Sequence, residues 1–319
     1  MDELIQSLQK LRERAMVMLM RADKRLLIAG LHPFSNWHEQ PLYEGEAFSY
    51  YTNLIHEYQD ISRGAMSFGM HLHLGLPSYM PKIQIMNHLR HILPEILALS
   101  VSSPFIESRD TGLQSWRHSI LDRYPRMGIP DVWNDEQHYQ TYIQRLRNLK
   151  CLQSEQSVWQ DLRLHQRYET LEIRIMDTHP ELERIALIVR LVHAEVQKIW
   201  AQIQKGILNP PVALDRCFIE ENKWKARRYG LDADWIDWER DELCPGYTHF
   251  QRWIERLSPY IPSDDLHLLE KDIEKAFAQG TFASEMRRER KKYNNWEDFA
   301  KWLSFRTHTS IEINQERYR

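Results

Sequence analysis

Apolar residues recur at intervals of three or four along several long segments of the chain, a spacing that predicts amphipathic helices. The segments that show it most clearly are residues 2–22, 47–66, 81–104 and 180–204. Within the third segment, Pro94 predicts a kink or a break, because proline removes a backbone donor and crowds the preceding turn. Pro180 near the start of the fourth segment and Gly206 beyond its end mark the limits of one long helix.

Three shorter segments have the composition of strands, namely residues 25–30, 67–74 and 168–177. Successive side chains of a strand alternate between its two faces, so His71 and His73 in the second segment share one face. In the third segment the same alternation places Thr170, Glu172 and Arg174 on one face. Each of these two strands therefore carries, on one face, polar side chains that are suited to metal binding or catalysis.

The whole pattern predicts one α+β domain over residues 1–319. Residues 25–235 contain the predicted strands and form the sheet core, and residues 236–319 form a helical C-terminal part. Residues 109–135 are rich in Arg, Gly and Pro, and we expect them to form a long ordered loop with short helical pieces. The sequence contains no internal repeat and no long linker.

The balance of charges argues against a polyanionic or a lipid partner. The chain has 42 Lys and Arg against 45 Asp and Glu, a formal net charge of -3, and no apolar run long enough to span a membrane. Cys151, Cys217 and Cys244 form no C-x-x-C pair, which indicates reduced thiols in a reducing compartment. We therefore predict a cytoplasmic protein that binds neither nucleic acid nor membranes, and a homodimer on base rates.

The polar strand faces allow more than one interpretation. His71 and His73 fit the polar face of a half-buried strand, and they also fit two ligands of a metal site. Glu172 beside Arg174 fits a surface ladder pair, or a carboxylate that holds Mg²⁺ next to an arginine that braces a transferred phosphate. Walker A, G-x-G-x-x-G, G-x-S-x-G and H-E-x-x-H motifs are absent, so any ATP would lie on a sheet face with divalent metals.

Five segments together resemble the carboxylate-amine ligases of the glutamate-cysteine ligase type 2 family. They are AGLHPFSNW (29–37), GMHLHLGLP (69–77), LALSVSSPFIESRDTGLQSWR (97–117), RLHQRYETLEIRIMDTHP (163–180) and NKWKARRYGLDA (222–233). The resemblance implies a glutamine-synthetase-like fold, in which a curved antiparallel sheet packed with helices holds ATP and Mg²⁺ or Mn²⁺. It also implies that a carboxylate attacks the γ-phosphate to give an acyl phosphate, which an amine captures as an amide. The partners would be small-molecule acid and amine substrates, with glutamate as the first candidate acid.

The resemblance also assigns roles to residues by their positions in these segments. The metal ligands would be His71, His73 and Glu172. The catalytic residues would be Glu172 and Arg174, with Arg174 bracing the phosphate. The substrate-binding residues would be Arg109, Asp110, Thr111, Arg117, Arg163 and Thr170, and the nucleotide-binding residues would be Asn222, Arg227 and Tyr229. For the loop around Asp110, the alternative is an Asp–Arg network that pins the chain.

The sequence departs from the family pattern in two places. The family opens with a Gly-x-Glu-x-Glu strand that supplies metal carboxylates, whereas this sequence starts at the helix that follows, and Leu31 stands at a threonine position. We therefore expect weaker Mg²⁺ binding. Three explanations stay open: the strand lies in upstream sequence, a partner chain supplies it, or the protein is a binding scaffold that has lost catalysis. A zinc-dependent hydrolase using His71, His73 and Glu172 is a further alternative.

The shared strand face generates one expectation about a variant. If the ligase interpretation is right, Glu172→Gln should abolish ATP turnover with little loss of stability.

Overall fold

The computed structural model describes residues 2–42, 48–152, 157–165, 167–208 and 215–317, with side chains described between residues 3 and 308 of these ranges. Two positions used above, residue 47 and Gln166, lie outside the described residues. The helices of the described chain are α1 (Asp2–Arg21), α2 (Ser49–Tyr58), α3 (Asp60–Arg63), α4 (Lys82–Leu89), α5 (Leu93–Ser100), α6 (Arg117–Leu121), α7 (Glu136–Asn148), α8 (Leu182–Gln204), α9 (Arg216–Tyr229), α10 (Gly246–Leu257), α11 (Ser263–Gln279), α12 (Phe282–Arg290) and α13 (Trp296–Arg317).

The strands form small antiparallel sheets. They are β1 (Leu72–Leu74), β2 (Phe105–Ile106), β3 (Arg109–Asp110), β4 (Leu162–His165), β5 (Thr170–Ile173), β6 (Asp234–Asp237) and β7 (Glu242–Pro245). The largest sheet of the described chain has three strands in the order β1–β5–β4, and β2–β3 and β6–β7 pair separately. Helices and antiparallel strands in this mixture confirm the predicted α+β class.

The main core lies between the inner face of the three-stranded sheet and the helices α5 and α8. All eight residues of α5 are buried, as its nearly continuous apolar sequence requires. Leu162 and Leu164 of β4 and Leu171 and Ile173 of β5 alternate with polar neighbours and join this core. The sheet therefore presents an apolar face to the helices and leaves the other face for polar side chains.

The C-terminal helices belong to the same core. Phe250 and Trp253 of α10 and Ile273 of α11 pack in one cluster with the sheet residues. Strand β6 begins at Asp234 and so crosses the predicted division at residue 235. Within the described chain, the region after residue 235 is mainly helical but shares the apolar interior of the sheet core.

The helix predictions are confirmed, and one strand prediction is wrong. The segment 81–104 breaks at a short 3₁₀ turn, Arg90–Ile92, just before Pro94, which occupies the first turn of α5 where its missing donor costs nothing. Residues 25–30 form no strand, because the amide of Gly30 bonds to Ser102 in a loop rather than in a ladder. Helix α7 and the β6–β7 hairpin were not anticipated from the pattern.

None of the described helices combines the length and the apolarity needed to cross a membrane.

Gly69 occupies a position where a side chain has no room. A Cβ there would collide with the guanidinium of Arg117. That guanidinium cannot easily retreat, because it donates hydrogen bonds to the backbone carbonyls of Met176 at 3.1 Å and Ile175 at 3.4 Å. The close approach explains why glycine precedes the histidine pair.

We predict that Gly69→Ala lowers the free energy of unfolding by about 1–3 kcal/mol, the usual cost of pressing an added carbon against a packed side chain, here the buried Arg117. Urea denaturation followed by circular dichroism measures this change. Gly75→Ala is the matched control, since nothing lies within 4 Å of a Cβ at that position, and its effect should stay within about 0.5 kcal/mol. Equal stabilities of the two variants would contradict the close contact at Gly69.

Candidate active site

The register of the three-stranded sheet brings one row of polar residues together. Glu172 on the central strand β5 is directly opposite His73 on β1 and Arg163 on β4. His71, just before β1, and Arg174, just after β5, approach the same carboxylate. We call these five residues, His71, His73, Arg163, Glu172 and Arg174, the Glu172 cluster. Strand pairing thus brings together, around one carboxylate, the polar residues that the sequence pattern placed on separate strands.

The carboxylate of Glu172 lies at the centre of the cluster and is buried. Its Oε2 accepts a hydrogen bond from Nε of Arg163 at 2.6 Å, and its Oε1 accepts one from Nη1 of Arg174 at 2.5 Å. Nδ1 of His71 lies 3.0 Å from Oε1, and Nε2 of His73 lies 3.8 Å from the same oxygen. His73 is fixed from its other side by Thr170, whose Oγ1 is 2.8 Å from Nδ1.

These contacts determine the charge states. Burial by itself would raise the pKa of Glu172, but the hydrogen bond to His71 and the charges of Arg174 and Arg163 lower it well below its usual range. Burial lowers the pKa of His71 despite the nearby carboxylate. At neutral pH the cluster is therefore two guanidinium cations around an ionised carboxylate, with His71 as a neutral imidazole.

The arrangement does not fit a resident metal ion. The three predicted ligands do come together, but Oε1 and Oε2 of Glu172 each accept from a guanidinium. Nearby carboxylates are also engaged, Asp161 with Lys223 at 2.8 Å and Asp177 with Arg117 at 3.7 Å. Within the described ranges, no group of three or more His, Cys, Asp and Glu side chains is placed to hold a metal. The assignment of His71, His73 and Glu172 as metal ligands stays a prediction, and so does the alternative of a zinc-dependent hydrolase.

The cluster opens into a cavity of about 300 Å³, which we call the cluster cavity. His71 and Arg174 line it together with Gly69, Arg117 and Asp161. A volume of this size is at the lower end of small-molecule sites. The cavity therefore places guanidinium and imidazole groups where a small anionic substrate or a phosphate can reach them.

Four residues of the loop were predicted to bind substrate: Arg109, Asp110, Thr111 and Arg117. Of these four, Arg117 alone is among the residues that line the cluster cavity. Asp110 instead receives a bidentate hydrogen bond from Arg287, with distances of 2.8 and 2.9 Å from Nη2 and Nε. Thr111 donates to the backbone carbonyl of Pro104, and Arg109 lies over the ring of Trp116. The Asp–Arg network that pins the loop is thus the better description of Asp110.

The predicted nucleotide-binding residues lie away from the cluster cavity. The side-chain amide of Asn222 is bonded to the backbone N–H and C=O of Ile236 and so fixes β6 to α9. Arg227 pairs with Asp122 at 2.6 Å, and Tyr229 is exposed beneath the guanidinium of Arg228. None of these side chains lines the cluster cavity, and their role in nucleotide binding stays a prediction.

Sequence reasoning missed the ion pair between Lys223 and Asp161. Both residues are buried, and Asp161 contributes to the wall of the cluster cavity. Burial would lower the pKa of Lys223, but the charges of Asp161, Asp122 and Glu220 raise it, so the lysine stays charged. A signal existed: Lys223 shares a helical face with buried Ile219 and Ala226, which is unusual for a lysine.

Comparison with known proteins identifies the family. The model for glutamate-cysteine ligase family 2 matches residues 1–292, and the chain belongs to this family. Relatives named "Putative glutamate--cysteine ligase 2" include one from Solibacter usitatus, 32% identical over 80% of this chain and 65% of its own length. Another, from Herpetosiphon aurantiacus, is 39% identical over 68% of this chain and 55% of its own length.

A solved structure is also similar in part. Glutamate–cysteine ligase from Francisella tularensis in complex with AMP covers 84% of this chain and 66% of its own, with 11% identity and a TM-score of 0.42. The present chain spans between half and two thirds of the length of the first curated relatives, 65%, 59% and 55% of them.

The geometry revises the expected stability of the Glu172→Gln variant. We predict that it lowers the free energy of unfolding by about 3 kcal/mol at neutral pH, because Arg163 and Arg174 lose their counter-charge. The lowered pKa of Glu172 means that its stabilisation is complete above the ordinary value of 4.5 and is lost progressively as the pH falls below it. The difference between wild type and variant in urea unfolding should therefore shrink in acid.

The control for this prediction is Asp272→Asn, which breaks the partly exposed pair with Arg190. It should cost at most about 1 kcal/mol. A difference between wild type and Glu172→Gln that stays constant from neutral pH to about pH 3 would show that the carboxylate charge does not stabilise the sheet.

Proposed function

We propose that this chain carries the reaction centre of an ATP-dependent carboxylate-amine ligase that proceeds through an acyl phosphate. The observation that supports it is the Glu172 cluster, in which one carboxylate holds two guanidinium groups and from which Arg174 and His71 line the cluster cavity. The names of the relatives suggest glutamate as the acid and cysteine as the first amine to test. Magnesium or manganese enters bound to ATP, as part of the substrate.

The first step requires positive charge around a transferred phosphoryl group. The carboxylate of the acid attacks the γ-phosphorus of ATP, the bond to the β–γ bridging oxygen breaks, and ADP leaves. Charge develops on the equatorial oxygens of the phosphoryl group, and catalysis consists mainly of positioning and electrostatic stabilisation. Arg174 lines the cavity, and Glu172 fixes its guanidinium, so that the planar group is already oriented when the phosphate arrives.

The second step forms the amide. The nitrogen of the amine attacks the acyl carbon, the carbon–oxygen bond to phosphate breaks, and inorganic phosphate and one proton are released. The imidazole of His71 is neutral and lines the cavity, so it is available as the acceptor of that proton. Water must be kept from the acyl phosphate, and Trp159 and Tyr124 provide bulky walls on that side of the cavity.

The proposal is tested by trapping the acyl phosphate. Protein, Mg-ATP, glutamate and hydroxylamine should yield the hydroxamate and ADP in equal amounts, because hydroxylamine captures the activated acyl group in place of the amine. Arg174→Lys should reduce hydroxamate formation by about 100-fold or more, since an ammonium keeps the charge but lacks the planar fork. A coupled ADP assay and colorimetric hydroxamate detection measure both products.

Arg190→Lys is the matched control, because Arg190 pairs with Asp272 and does not line the cluster cavity. It should leave the rate unchanged. Wild-type rates for Arg174→Lys would remove Arg174 from the reaction. Absence of hydroxamate across a panel of carboxylic acids, with protein that is folded by circular dichroism, would instead favour a binding scaffold.

A further inference from the structure

A second cavity, of about 320 Å³, lies among the helices and shares no lining residue with the cluster cavity. We call it the helical cavity. Its walls include Glu95 from α5, Glu195 from α8 and His249 from α10, together with residues of β6 and the turn after it. Helices that pack in a core normally present apolar side chains to one another, so polar groups from three helices around one space are unusual.

Several buried polar atoms on these walls lack partners in the described part of the chain. Glu95 and His249 are both more than nine-tenths buried, and Oε1 of Glu95 lies 2.7 Å from Nε2 of His249. Oε2 of Glu95 and Nδ1 of His249 have no hydrogen-bond partner there, and the same is true of Nε2 of His91 and Nε1 of Trp238. Unpaired buried polar groups are costly, and four of those in the described chain belong to residues that line this one cavity.

The cavity walls carry the carboxylates of Glu95, Glu195, Asp237 and Glu239 against the cations of Lys198 and Arg256, and this excess of negative charge favours a cationic ligand. Glu195 is already neutralised, because Oε1 accepts from Lys198 at 2.8 Å and Oε2 accepts from Nε1 of Trp253 at 2.9 Å. Glu95, by contrast, has an imidazole as its partner and no lysine or arginine among the described residues. Burial lowers the pKa of His91 to about 3, so this imidazole adds no positive charge to the cavity.

We propose that the helical cavity binds a small compound through its ammonium group, with Glu95 as the carboxylate that receives the positive charge. The ring of Trp253 forms part of the wall, and aromatic faces attract cations. The ammonium group can belong to a simple amine or to an amino acid. The helical cavity is separate from the cluster cavity, because no residue of the Glu172 cluster contributes to it.

Calorimetric titration of the full chain tests this assignment. The probes are propylamine, alanine and propionate, which have similar sizes and differ in charge, at matched ionic strength. We expect propylamine to bind and propionate not to bind. Alanine that binds at least as well as propylamine would assign the site to amino acids, and alanine that binds more weakly would assign it to simple amines.

Two variants locate the binding. Glu95→Gln keeps an acceptor for His249 but removes the charge, and it should weaken propylamine binding about tenfold or more. Gln202→Trp, at a half-exposed position of the lining, fills the cavity without removing a buried group and should abolish binding. Glu270→Gln on α11 is the matched control and should bind as wild type does.

The proposal is overturned if propylamine does not bind, since the cavity then holds only water. It is equally overturned if propionate binds as tightly as propylamine, or if the affinity for propylamine is unchanged in both Glu95→Gln and Gln202→Trp. Because each readout is binding, a failure here is distinct from a failure to form hydroxamate.

Discussion

The candidate active site depends on the hydrogen bonds and the ion pair that the buried carboxylate of Asp177 makes. Its Oδ2 accepts hydrogen bonds from the amide of Ser102 at 3.0 Å and the hydroxyl of Ser103 at 2.7 Å, and its Oδ1 accepts one from Ser115 at 3.0 Å. Arg117 supplies the counter-charge. One side chain therefore ties the end of the segment that carries Glu172 to both ends of the loop 102–117. The carbonyls of Met176 and Ile175 hold the guanidinium of Arg117 as well, so the Asp177 contacts and these backbone bonds together keep it at the wall of the cluster cavity.

The Glu172 cluster represents a different solution from a metal centre. A carboxylate that accepts from two arginines is satisfied as it stands, and it fixes the guanidinium of Arg174, which lines the cluster cavity. In the proposed function, the positive charge that the transferred phosphoryl group needs comes from Arg174. The same arrangement makes the sheet dependent on its ionised state, because the two arginines would repel each other if Glu172 were protonated.

Local patterns in the sequence predicted the helices and the alternation of side chains along strands, because both depend on local backbone geometry. The helical spacing of residues 180–204 became α8, Leu182–Gln204, and the alternation of Thr170, Glu172 and Arg174 placed the central polar row correctly in the sheet. Ile28, Ala29 and Gly30 are buried, but the amides of Ile28 and Gly30 bond to Thr307 and Ser102 rather than to a neighbouring strand, which no local pattern reveals. Asp110 likewise meets Arg287, which is 177 positions away in sequence, so its structural role could not be read from its own segment.

The apolar interior that α10 and α11 share with the sheet has a consequence for how the molecule responds to ligands. Ile92, Ile199 and Trp253 line the helical cavity and belong to the same apolar core as the β5 residues of the sheet, so loosening at that cavity disturbs packing that extends to the sheet. A ligand that binds only the folded state raises the stability of every element that unfolds together with its site. Protection of sheet amides from hydrogen exchange would then increase when the helical cavity is filled, even without any movement of the Glu172 cluster.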